Sequence, residues 1–279
     1  MRKVSSGSIV FNLAGVSVLA LVAGYMVRTA LVTEHTAQCS RRYPAGMQFA
    51  LDAQDGAPLS TIELQARAGL REWGVIENSK IVHASDSPSG KSLDVSLAKI
   101  SSDNSQTQNG LGFVWPVYDL APTKSACLSY SVYLPKDFKF GESGHLPGLT
   151  GTGTVSSPEG ETSDGTFNAH VGWGQHGEIG IDVRSPYTGG SWFGSRGQTA
   201  WPLGQWVQVD QEVVMNNPGR ANGILRMWID GALRVENTSF RVRATDEVKM
   251  QGVVADTGYI QSANDAVVVR LSPFVVQWQ

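Results

Sequence analysis

The chain has 279 residues, 41% of them hydrophobic, enough for one sizeable core in a single domain. Charged residues are sparse at 17% and glycine is frequent at 31 residues, a balance that suits an all-β extracellular protein rich in turns. The formal net charge of −3 argues against a nucleic-acid partner, which needs a basic face, although local basic groups can still focus an anion in a cleft.

At the N-terminus, Arg2 and Lys3 precede an apolar run over residues 9–27, and Arg28 follows it. About 19 residues at a helical rise of 1.5 Å span roughly 28 Å, close to the hydrocarbon thickness of a bilayer. Residues 1–28 are therefore expected to form a signal anchor or a signal peptide. An anchor needs only the span and a positive inner flank, and Arg28 on the far side blurs that bias. A signal peptide needs a small-residue cleavage site; residues 25–28 are a poor one, which leaves positions near Ala30 or Ala37. On either reading the bulk of the chain leaves the cytoplasm. It is then anchored through the N-terminal helix and faces the periplasm or exterior, or it is secreted. Residues 29–58, with Pro44, Gly46, Gly56 and Pro58, read as a stalk or irregular entry segment. Cys39 and Cys127 are the two cysteines, and in an oxidising compartment they permit one disulfide; the alternative is two partly buried thiols.

Residues 59–279 read as one β domain. Ile62, Leu64 and Ala66 alternate with Glu63, Gln65 and Arg67, and Val75-Ile76 and Ile81-Val82 flank a polar turn over residues 77–80. Residues 85–92 and 101–110 read as surface loops, and residues 111–118 as a strand. Strands are expected over 130–134 and 167–173. A long alternating run over 205–215 ends in the Asn216-Asn217-Pro218-Gly219 turn. In the next strand Ile224, Arg226 and Trp228 alternate with Leu225, Met227 and Ile229, and Asp230-Gly231 marks a tight hairpin. Residues 266–271 and 274–278 supply closing strands. No helix of ordinary length is expected after residue 28, and many short strands between turns favour a β-jelly roll or concanavalin-like sandwich.

Several of these segments together resemble polysaccharide lyase family 14, the alginate and glucuronan lyases built on a β-jelly roll. The similarity covers roughly residues 126–278. It is carried by the strand, proline, aromatic and Leu146-Pro147-Gly148-Leu149 over 130–149. It is also carried by Trp173 with Gly177-Glu178, by Gly204 and Trp206, and by Trp228 with Asp230-Gly231. The resemblance implies a jelly roll acting on an acidic polysaccharide. In the family a lysine precedes Leu-Pro-Gly-Leu and contributes to the active site; His145 stands there. The family's serine and arginine, two apart on the next strand, correspond to Asn168 and His170, and its two tyrosines to Gly180 and Asp182. All five positions depart from the family pattern, so the lyase mechanism does not carry over directly.

The residues themselves suggest a site. Strand side chains alternate, so Asn168, His170 and Gly172 share one face, and Glu178, Gly180, Asp182 and Arg184 share another opposite the apolar Ile179, Ile181 and Val183. If the two strands pair, a polar face emerges, with glycines leaving room for a sugar ring and Leu-Pro-Gly-Leu holding His145 at its edge. β-Elimination needs a group that stabilises the carboxylate, a base and an acid. His145 and His170 are the candidate bases, since neutral imidazole is present near pH 7. Arg184 and Asn168 are candidates to hold the carboxylate, Asp182 to orient a histidine, and Tyr187 to serve as acid. Trp173, Trp192 and Trp201, with Arg196, are candidate substrate-binding residues.

Two other classes stay open. The five substitutions suit an inactive glycan-binding or polysaccharide assembly factor. A glycoside hydrolase needs paired carboxylates, but Glu178 and Asp182 lie about 13 Å apart along an extended strand, beyond the roughly 9.5 Å limit, so a partner such as Glu212 would be required. No pattern calls for a cofactor, no cysteine–histidine spacing suggests zinc, and no dense acidic loop argues for structural calcium.

Overall fold

The computed structural model of the protein describes residues 22–24, 37–97, 109–156, 162–195, 197–260 and 266–279. The chain falls into two units, Met1–Ala37 and Gln38–Gln279. Of the first, residues 22–24 are helical; the rest of the expected membrane helix, the loop over 101–108 and Arg196 lie outside the described residues. No helix among the described residues is long and apolar enough to cross a membrane.

The second unit is built almost wholly of strands. In chain order these are β1 (Ala45–Phe49), β2 (Leu70–Trp73), β3 (Ser79–His83), β4 (Lys91–Leu97), β5 (Gly112–Pro116), β6 (Ser125–Tyr133), β7 (Gly144–Thr152), β8 (Thr154–Ser156), β9 (Thr162–Asp164) and β10 (Phe167–Trp173). They continue with β11 (Ile179–Arg184), β12 (Ser191–Gly194), β13 (Trp206–Val214), β14 (Gly223–Ile229), β15 (Ala232–Phe240), β16 (Lys249–Val254), β17 (Gly258–Tyr259), β18 (Val267–Leu271) and β19 (Phe274–Trp278). One antiparallel sheet runs β15-β14-β13-β6-β18-β4-β3, with β19 on β6 and β1 on β19. The other runs β12-β11-β10-β7-β16-β5-β2, with β17 on β7. The architecture is that of a jelly-roll sandwich.

The period-two pattern explains the core. Val207, Val209 and Val213 of β13 and Leu128, Tyr130 and Val132 of β6 are buried in one cluster with Leu146, Leu149, Ala169, Val171, Ile181 and Val183 of the second sheet. One polar side chain interrupts this layer. Gln211 is wholly buried; its carbonyl accepts from the Leu149 amide at 2.8 Å and its NH2 donates to the Ala169 carbonyl at 2.7 Å. The Asp230-Gly231 hairpin forms as expected, with positive φ at both residues.

The opposite face of the first sheet is partly covered by the chain's entry segment. Cys39 and Cys127 form a disulfide, and Cys39, Tyr43, Cys127 and Trp228 are buried together. Beneath this cover Glu212, 1% exposed, takes hydrogen bonds from Arg42 at 2.7 Å, Tyr43 at 2.6 Å and Arg226 at 3.2 Å. Burial, and then the Glu212 charge, push the Tyr43 hydroxyl well above its ordinary pKa.

Two local expectations are corrected. Ile62, Leu64 and Ala66 do not lie on a strand: Thr61–Ala68 is helix α1, and it buries Leu64 and Ala68. Its start is fixed by a capping box, in which Ser60 accepts from the Glu63 amide while the Glu63 carboxylate accepts from the Ser60 amide. Val75–Asn78 is a short helix, α2, not a strand.

Candidate active site

The outer face of the β12-to-β2 sheet carries the polar residues that alternation assigned to it. Strands β10 and β11 pair with Asn168 opposite Arg184 and His170 opposite Asp182. On the other side, β7 pairs with β10 through a bulge: His170 faces Gly148 and Val171 faces Leu146, so Pro147 is the extra residue. Proline has no amide to lose at such a point. Gly148 is required there, because a Cβ would lie 1.9 Å from the Ala169 carbonyl oxygen. This gives the Leu-Pro-Gly-Leu segment a physical meaning. It inserts a bulge that the Tyr130 hydroxyl, bonded to the Pro147 carbonyl at 3.0 Å, and Gln211 hold from below.

The bulge sets two histidines face to face. The His145 and His170 rings stack at 4.1 Å between centroids, 10° from parallel. His145 Nε2 lies 2.9 Å from Asp182 Oδ2, and His170 Nε2 lies 3.1 Å from Asp256 Oδ2. Arg184 Nε donates to the same Asp182 oxygen at 3.3 Å. His170 is 3% exposed and its Nδ1 is buried without a partner, whereas the His145 side chain is 12% exposed. Burial is the largest influence on His145 and lowers its pKa; the Asp182 hydrogen bond opposes this and His170 adds to it, and the net shift is downward. Burial also raises Asp182, but the hydrogen bond and charge of His145, with Arg184, outweigh it and hold the carboxyl below its ordinary range. At neutral pH the pair is a neutral imidazole donating Nε2–H to a carboxylate, which leaves Nδ1 as the basic nitrogen.

His145, His170 and Asp182 also bring three ligand-type atoms within 4.8 Å of one another. Imidazole lone pairs lie in the ring plane, and two nearly parallel rings this far apart do not converge on one ion at a bond length of about 2 Å. A metal would require the stack to open.

Flanking the histidines, two depressions share Arg71, Thr166 and Asn168 and so form one groove. The first, about 270 Å³, is closed by Trp73, Gln251 and Asp256, and the second by Asp182, Arg184 and Trp192. Asn168 Oδ1 accepts from the Thr150 hydroxyl at 2.7 Å, which leaves its NH2 to donate. Trp192, 40% exposed, lies across Gly180, where a Cβ would meet its ring at 2.3 Å. It is the aromatic platform of the groove.

Other expected site residues are elsewhere. Trp173 is fully buried with its indole N–H on the Phe140 carbonyl, and Trp201 is buried with its N–H on the Gly172 carbonyl. Both are core residues, because they lie on or against the apolar face of β10. Tyr187 is not a groove residue: its ring carries Arg241 at 5.1 Å and its hydroxyl is enclosed without a partner. Glu212 belongs to the other sheet, so it offers no carboxylate to Asp182. Arg71, Thr150, Gln251 and Asp256 were not foreseen. Asp256 is 86 positions from the histidine it touches, and no local pattern marks it.

Comparison with known proteins agrees with this architecture. No curated protein matches the chain. Among solved structures, it is similar to a marine alginate lyase of polysaccharide lyase family 14 from Aplysia kurodai, at a TM-score of 0.64 and 18% identity, over 85% of this chain and 99% of that one. An alginate lyase from Chlorella virus is similar at 0.61 and 11% identity, over 78% and 97% of the two chains. An endo-β-1,4-glucuronan lyase from the fungus Trichoderma reesei is similar at 0.53 and 11% identity, over 85% and 96%. At these identities the likeness is one of fold. The sequence match is more specific: residues 85–262, well over half the chain, fit the model of polysaccharide lyase 14. The chain therefore belongs to the polysaccharide lyase 14 family.

Proposed function

We propose that the protein cleaves an acidic, uronate-containing polysaccharide by β-elimination outside the cytoplasm. The observation that carries this reading is the His145–Asp182 pair, at 2.9 Å, beside a groove on a lyase fold. Neutral His145 takes the proton from the carbon that bears the carboxylate. The electrons of that C–H bond form a carbon–carbon double bond as the C–O bond on the adjacent carbon breaks. The glycosidic oxygen leaves with its electron pair and takes a proton, for which the imidazolium just formed is the nearest acid. Arg184 and the Asn168 amide oppose the charge that grows on the carboxylate. Asp182 fixes the tautomer of His145, and Trp192 supplies a face for a sugar ring. The Cys39–Cys127 disulfide supports an oxidising location, and the apolar run over residues 9–27 supports delivery there as an anchored or secreted protein.

A second reading has its own support. Neither histidine lines the open depressions, whose charged lining is Arg71, Asp182, Arg184 and Asp256 among neutral residues. That suits a glycan-binding or assembly factor without chemistry. Incubation with alginate, glucuronan, pectate and hyaluronan, following ultraviolet absorbance of unsaturated uronate ends together with polymer size, separates the two. Rising absorbance with falling size is the expected result. Retention on one polymer without either change would select the binding reading, and falling size without absorbance would point to hydrolysis.

A further inference from the structure

Arg71 has φ of 55°, the left-handed region that side-chain-bearing residues seldom adopt. The cause is visible in the pairing of its strand. Leu70 faces Val114 and Trp73 faces Gly112, so three steps along β2 are matched by two along β5. Residues 71 and 72 together oppose one partner, and a bulge of this kind re-aims side chains. Glu72 turns away to accept from Gln65 at 2.6 Å, while Arg71 lines both depressions of the groove.

The charge so placed is uncommitted. Arg184 lies on Asp182, Arg226 on Glu212 and Glu236, and Arg270 on Asp86. Among the described residues no carboxylate lies within ion-pair distance of Arg71, and it is exposed. The two acids of the groove are each held by a histidine. An unpaired guanidinium presents a planar fork that matches a carboxylate in two parallel hydrogen bonds. Its strand also precedes residues 85–262, which carry the family match.

We infer that Arg71 is a specificity-determining residue that binds the carboxylate of a uronate unit lying between β2 and β10, beside the unit presented to His145. This rests on the groove being a polyuronate site. The β2 bulge exists to carry that contact, and the left-handed backbone at residue 71 is its conformational cost.

The test uses the full-length protein and the variants Arg71→Gly and Arg71→Lys, with alginate and glucuronan and their carboxyl-reduced forms. Glycine suits the positive φ, so Arg71→Gly is expected to melt no lower than the parent while losing about tenfold in affinity, read as Kd and as KM with kcat changed less. Arg71→Lys is expected to recover part of that loss, and the carboxyl-reduced polymers are expected to bind parent and variant alike. Equal binding of the acidic polymers by parent and Arg71→Gly would overturn the assignment, as would an equal loss on the reduced polymers. If the parent binds without cleaving, elimination fails while the binding arms still decide the role of Arg71. If the parent binds no uronate polymer, both readings fall together.

Discussion

Gln211, at the centre of one sheet, accepts a hydrogen bond across the core from the amide of Leu149 in the other. Its second contact, to the Ala169 carbonyl, lies on the strand next to that one. These two residues are register partners, next to the His170–Gly148 pair that borders the Pro147 bulge, so a single buried amide ties the histidine geometry to the far layer of the sandwich. Gln211→Leu keeps the volume but orphans a buried N–H and a buried C=O, each worth about 1–3 kcal/mol. The expected loss is about 2–4 kcal/mol in denaturant unfolding, together with a fall in activity as the histidine stack loosens. A variant as stable and active as the parent would show that the bulge holds itself.

The pH profile follows from His145. Its pKa is lowered in the folded protein, so the neutral base persists below the ordinary imidazole value of about 6.5. The acid limb of kcat/KM is expected below that pH. Asp182 raises His145, so Asp182→Asn moves the limb further down while lowering the rate through loss of the fixed tautomer. The same shift links to stability. The unfolded chain binds a proton at this histidine more readily than the folded one, so the contribution is complete above about pH 6.5 and declines as pH falls toward the folded pKa. A limb above 7, or one unmoved by Asp182→Asn, would contradict this base assignment.

Trp192 and Gly180 form a pair that can be tested from either side. Trp192→Ala removes the aromatic face proposed to carry a sugar ring and is expected to raise KM about tenfold with a smaller change in kcat. Gly180→Ala leaves the indole in place chemically but drives a methyl group into it, where 2.3 Å is available. The expected result is a similar rise in KM, with a shift in tryptophan fluorescence that reports the displaced ring. Unchanged KM in both variants would remove Trp192 from the binding surface.

Much of the site was legible because strands alternate strictly. The shared face of Asn168 and His170, that of Asp182 and Arg184, and the apolar face of Ile179, Ile181 and Val183 follow from a period of two and from the pairing of β10 with β11. The same rule reaches the tryptophan at the end of β10. Trp173 shares its parity with Phe167, Ala169 and Val171 and is core for that reason, a sign available in the sequence. The helix at 61–68 was announced by Ser60 and Glu63, three apart, but the alternation of Ile62, Leu64 and Ala66 masked it. Asp256 and Arg71 are different. One reaches the site through long-range pairing of β16 with β7, and the other through a backbone kink, and neither leaves a local mark.

The disulfide makes one further prediction. Cys39→Ser with Cys127→Ser frees a loop of 88 residues, an entropic effect on the order of 4 kcal/mol in the unfolded state. A large drop in melting temperature is expected, with the histidine groove, on the other sheet, keeping its pH profile at temperatures where the protein remains folded.

The bond between Cys39 and Cys127 also guards a buried charge. Glu212 sits in the first sheet, yet two of its hydrogen-bond donors, Arg42 and Tyr43, arrive on the segment that this bond fastens down. The disulfide therefore fastens the segment that supplies two of the three side-chain donors covering this buried carboxylate, and reduction is expected to loosen the back of the sandwich, on the side away from its groove.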